Sequence, residues 1–161
     1  MDILESKNLF NQAGLNFLFE SWIGATFASI RFPDSEVRLP SGQWPDIEID
    51  RNDVRGFEIV EALKPGRRRG EEYKSLPASW HYPVAKWHEA VDAIPIALAD
   101  AISRKKNKNY GNKNFGLIIY LNVDMTFGLR NKEVMSAISH AKQSAGRDFS
   151  EIFVLFGQKV F

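Results

Sequence analysis

The sequence predicts an α/β (α+β) domain built on one mixed sheet. Three observations carry that prediction. An acid-bearing β-hairpin pattern fills Trp44 to Ala62. A long amphipathic helix pattern follows over 84–105. Two short, largely apolar β-rich runs, 115–123 and 152–156, then flank a second helical pattern. Strands linked by tight turns pair antiparallel, whereas a strand–helix–strand unit gives parallel neighbours with a right-handed crossover. The expected order is helix, three strands, long helix, strand, helix, strand, in a single domain over 1–161.

The first element is a helix from about Ser6 to Ile30. Leu9, Ala13, Phe17, Gly24 and Phe27 recur at spacings of three, four or seven and make one stripe. Glu20 falls on that stripe. Two readings of it stand side by side: a glutamate at the stripe's edge that snorkels to water, or one aimed at other acids. Phe32-Pro33-Asp34-Ser35 is a turn, and Val37-Arg38-Leu39-Pro40 a short strand.

In the hairpin, Ile47 and Ile49 alternate with Glu48 and Asp50, which is strand periodicity. Arg51-Asn52-Asp53 has turn chemistry. Phe57-Glu58-Ile59-Val60 is a second β-rich run with one carboxylate among apolar neighbours. Such a carboxylate is costly to bury unless it is paired or binds a metal. If the arms pair, Asp46 and Glu58 converge at one edge of the sheet. Two converging carboxylates suit a hard divalent cation such as Mg²⁺. Glu61, three residues beyond Glu58, points to the opposite face unless a bulge intervenes.

Lys64 to Lys74 holds Arg67, Arg68 and Arg69 between Gly66 and Gly70, with Pro65 just before them. This is a solvated loop or a phosphate clamp, since arginine's planar fork matches phosphate oxygens. In the long helix Val84, Trp87, Val91, Ile94, Leu98 and Ile102 form the apolar stripe. Pro95 lies inside it, where a kink is expected. Its end, Arg104 to Lys108, is basic and complements the helix dipole. Phe115–Val123 is apolar on both faces, as a buried central strand requires. Asn131 is the expected cap of a helix over 132–145, closed by Gly146. Ile152–Phe156 is a second buried strand, and Lys159-Val160-Phe161 adds a few extended residues.

Composition sets the bounds. A chain of 161 residues, 44% hydrophobic and 25% charged, is long enough for a full core. A net charge of +1 confines any nucleic-acid affinity to local patches. The absence of cysteine excludes disulfides and cysteine-ligated zinc, and fits a cytoplasmic setting. The first residues lack a signal-peptide pattern and no apolar run reaches a membrane span, so no membrane partner is expected. His81, His88 and His140 show no zinc-ligand spacing, and no phosphate-loop or nucleophile-elbow motif occurs.

Pro45-Asp46 followed by Glu58-Ile59-Val60 resembles the PD-(D/E)XK nuclease superfamily, the restriction-endonuclease-like group. There the proline-aspartate opens the second core strand and an E-x-K tripeptide lies on the third. The order of elements matches that superfamily's αβββαβ core over nearly the whole chain. The motif lysine is replaced by Val60. The resemblance implies Asp46 and Glu58 as ligands of Mg²⁺ or Mn²⁺, with the Ile59 carbonyl as a third. It implies Glu20, on the first helix, as a further catalytic carboxylate. In this group the lysine migrates to neighbouring positions, which makes Lys64 or a loop arginine its replacement. The implied activity is phosphodiester hydrolysis in DNA or RNA, DNA being favoured, with Arg67, Arg68 and Arg69 on the nucleic acid. A homodimer is compatible with this reading. The alternative is a non-catalytic module that keeps the fold, such as an immunity or nuclease-associated protein.

Overall fold

The computed structural model describes residues 16–42, 44–50, 54–66, 86–108, 110, 115–123, 130–146 and 148–161. Its order is α1 (Asn16–Arg31), β1 (Glu36–Arg38), β2 (Ile47–Asp50), β3 (Val54–Leu63), α2 (Lys86–Lys106), β4 (Gly116–Asn122), α3 (Asn131–Ser144), β5 (Ile152–Phe156) and β6 (Lys159–Val160). The strands form one six-stranded sheet whose spatial order is the chain order. β1, β2 and β3 pair antiparallel, β3, β4 and β5 pair parallel, and β6 returns antiparallel. This is the mixed α/β sheet that the hairpin and the strand–helix–strand pattern predict.

Two apolar cores lie on its two faces. Ile23, Phe27 and Ala28 of α1 cover Ile47, Ile49, Phe57, Ile59, Ile118 and Leu155. α2 and α3 cover the other face, where Val60, Ala62, Leu117, Ile119, Leu121 and Val154 meet Ile94, Leu98, Ala101 and Ile138. Side chains on a strand alternate between faces, so β3 and β4 must be apolar on both. The buried charged residue on β3 is Glu58, 0% exposed on the α2 side.

Several elements differ from expectation. On α1 the buried residues are Ile23, Gly24, Phe27 and Ala28, whereas Phe17 is 47% exposed. Gly24 fixes that phase: a Cβ there would lie 2.8 Å from Ile47 Cδ1, so the helix rests directly on β2. Expected residues before 16, Leu9 and Ala13 among them, lie outside the described residues. α2 runs on through Pro95, which sits on its exposed side. The cap of α3 is Arg130 rather than Asn131, with φ 66° and no side-chain cap bond. Its guanidinium instead pairs with Asp92 at 2.8 Å and with Glu133. Those ion pairs hold a left-handed backbone that a non-glycine residue rarely adopts.

Candidate active site

The β2–β3 register decides the site. Ile47 stands opposite Phe57 and Glu48 opposite Gly56. One step further along this register brings Asp46 opposite Glu58, on the face away from α1. Close approach is possible because residue 56 is glycine: a Cβ there would lie 2.7 Å from Pro45 Cγ and 2.8 Å from Phe115 Cδ1. Asp46 Oδ2 accepts the Ile59 amide hydrogen at 2.7 Å, which ties the start of β2 to β3 beside Glu58.

The cation between the two acids is Lys105, from the last turn of α2. Its Nζ lies 2.7 Å from Asp46 Oδ2 and 2.7 Å from Glu58 Oε2. Lys105 is 7% exposed. Burial opposes its charge, but Asp46 and then Glu58 more than offset that, so its pKa stands above the ordinary lysine value. It is therefore an ammonium at neutral pH, a donor and not a base. Tyr110 adds its hydroxyl, which donates to Glu58 Oε2 at 2.9 Å. Burial, and then that bond, raise the phenol's pKa and keep it a donor. The Tyr110 ring lies edge-on to Trp44 at 5.5 Å and to Phe115 at 5.7 Å. Lys108, half-exposed, comes within 3.9 Å of Glu58 Oε2.

The bonds are unevenly shared among the carboxylate oxygens. Both described bonds of Asp46 end on Oδ2. Those of Glu58 end on Oε2, while its Oε1 is fully buried with no hydrogen-bond partner among the described residues. A buried unpaired carboxylate oxygen costs on the order of 1–3 kcal/mol or more, so it marks a place for a further donor or ligand.

Glu20 is half-buried on α1, within the field of this cluster. Burial and then Asp46 raise its pKa, Lys105 lowers it, Glu58 raises it and Lys108 lowers it. No hydrogen bond or ion pair joins it to Asp46 or Glu58 among the described residues. Among those residues, moreover, no three Asp, Glu or His side chains gather closely enough to hold a metal ion. Asp46 and Glu58 stand as a pair, with Glu20 outside it.

Other candidates are placed elsewhere. Glu61 lies on the opposite face from Glu58 and accepts from Asn122 Nδ2 at 2.7 Å. Lys64 pairs with Glu89 at 2.7 Å, so it is not the lysine of this cluster. Arg67, Arg68 and Arg69 lie outside the described residues. The residue that sequence reasoning misses is Lys105, because its basic neighbours make it look like one more charge at the helix dipole. Those neighbours do behave as surface charge: Arg104 pairs with Asp100 at 2.9 Å and Lys106 with Asp148 at 2.6 Å. A signal is present all the same. Lys105 follows Leu98, Ala101 and Ile102 at helical spacings of seven, four and three, which puts it on the buried stripe.

Among the described residues, no helix is long and apolar enough to cross a membrane. No family model, curated protein or solved structure matches the chain.

Proposed function

We propose that the chain is a divalent-metal-dependent phosphodiesterase of nuclease type, with a restriction-endonuclease-like core, acting on DNA or RNA. The observation that carries this reading is the bridge from Lys105 to both Asp46 and Glu58. It groups two acids and one lysine, the residue types of the motif that Val60 leaves incomplete, with the ammonium arriving from α2 instead of β3.

The donor set fits Mg²⁺ or Mn²⁺. Such ions are held by one or two carboxylates, the remaining positions being filled by water and substrate phosphate. Glu58 Oε1, buried without a partner among the described residues, would supply one oxygen, and Asp46 would supply the other. When bound, the cation would act as a Lewis acid and lower the pKa of a coordinated water. The Ile59 amide fixes Asp46. Lys105 pairs with both acids and would bring positive charge beside a bound phosphoryl group. Lys108 adds a second positive charge beside Glu58.

A second reading is a non-catalytic binding or regulatory module. It is favoured by one feature: Lys105 already bridges the acid pair, as a structural ion pair does.

Melting temperature against Mn²⁺ separates the two. A cation that binds only the folded form stabilises by about 2.7 kcal/mol at 100 times its dissociation constant, roughly 5–10 °C for a chain of this size. Wild type should show that shift, and Asp46→Asn and Glu58→Gln should lose it. Cleavage of a plasmid or a single-stranded RNA should follow the same pattern. A wild type indifferent to Mn²⁺ leaves the binding module.

A further inference from the structure

We infer that Tyr110 is a positioning residue for Glu58: its hydroxyl, together with Lys105, holds Oε2 so that the buried Oε1 is left as the metal-binding atom. This rests on the metal-dependent reading and names a residue outside the resemblance's motif.

The two oxygens of the Glu58 carboxylate stand in different surroundings. Oε2 receives Lys105 Nζ at 2.7 Å and the Tyr110 hydroxyl at 2.9 Å, with Lys108 Nζ at 3.9 Å. Oε1 is equally buried and has no partner among the described residues. A carboxylate free to rotate about its last torsion would share donors between its oxygens. Two donors from different segments fix that torsion, because one approaches from the end of α2 and the other from residue 110. The phenol is itself fixed. Trp44 and Phe115 flank its ring edge-on at 5.5 and 5.7 Å.

Partners that orient a ligating carboxylate change metal affinity by about 10–100-fold when removed. Tyr110→Phe deletes the hydroxyl and keeps the ring between Trp44 and Phe115. The Mn²⁺ dissociation constant, read by electron paramagnetic resonance or by thermal titration, should rise about 10–100-fold in this variant. Its metal-free melting curve should stay close to wild type. Tyr110→Leu, which loses the ring as well, should weaken Mn²⁺ no less.

A metal-free readout keeps the inference separable from the reading beneath it. The Glu58 carboxylate stretch, located by the infrared difference between wild type and Glu58→Gln, should shift in Tyr110→Phe. If that band shifts but wild type binds no Mn²⁺, the metal-dependent reading falls and the inference falls with it. If wild type binds Mn²⁺ and Tyr110→Phe binds it within twofold of wild type, the hydroxyl does not position the ligand and the inference alone is overturned. Loss of affinity only in Tyr110→Leu assigns the effect to ring packing and overturns it equally.

Discussion

Lys105 Nζ sits 2.7 Å from Glu58 Oε2, an ion pair between residues 47 positions apart in the chain. One partner is 0% exposed and the other 7%. The pair joins the last turn of α2 to the middle of β3, so it belongs at once to the packing of the fold and to the candidate site. Breaking a buried pair by removing one partner is costly because the other charge stays behind.

Lys105→Met keeps most of the side-chain stem and removes the ammonium. It leaves Glu58 and Asp46 facing each other without their cation. Urea denaturation should show a loss of about 3–5 kcal/mol. The double variant Lys105→Met/Glu58→Gln should recover part of it, since the uncompensated buried charge is gone. Independent, additive losses would show that the two side chains do not share an interaction.

Glu20 gives a pH signature. Its folded-state pKa is raised from 4.5, chiefly by burial and then by Asp46. Between the unfolded and folded pKa values the native protein binds more protons, so stability falls as pH rises through that window and levels off above it. Glu20→Gln should therefore be the more stable protein at neutral pH, and the advantage should vanish below about pH 4.5. Solvent screening at a half-exposed site keeps the gain to roughly a few tenths of a kcal/mol. Paired thermal melts from acid to neutral pH read the difference directly, and a constant offset at every pH would rule out the titration.

Backbone exchange should rank the strands. β4 is paired on both sides and buried on both faces, whereas β1 is a three-residue edge with two exposed side chains. Amides of Leu117 to Leu121 should be among the slowest to exchange and those of Glu36 to Arg38 among the fastest. β5, held between β4 and β6, should also be slow. Rapid exchange in β4 would contradict the sheet order.

Arg67, Arg68 and Arg69 remain the sequence's candidates for phosphate binding. Replacing all three with alanine should weaken binding to duplex DNA. The slope of log affinity against log salt should flatten by about 0.9 for each phosphate that an arginine no longer neutralises. Filter binding at several salt concentrations measures it, and an unchanged slope would leave the arginines as solvated surface.

Local pattern was enough for the order and type of the elements. Alternation in Ile47-Glu48-Ile49-Asp50, the helical stripe over Val91 to Ile102 and the two apolar runs all lie within single elements, and each element's backbone obeys its own period. The hairpin pattern also offered Asp46 and Glu58 as converging acids if its arms paired, and the observed β2–β3 register, continued one step, pairs them. Three features were settled only by packing between elements. The phase of α1 depends on Gly24 meeting Ile47, an approach of helix to sheet that no spacing within the helix encodes. The cap of α3 went to Arg130 because Asp92, on another helix, helps hold it. The lysine of the site came from α2 because only the fold brings residue 105 over β3. A buried charge is satisfied by whichever opposite charge packing brings within reach, and that choice is made across the sheet and not along the chain.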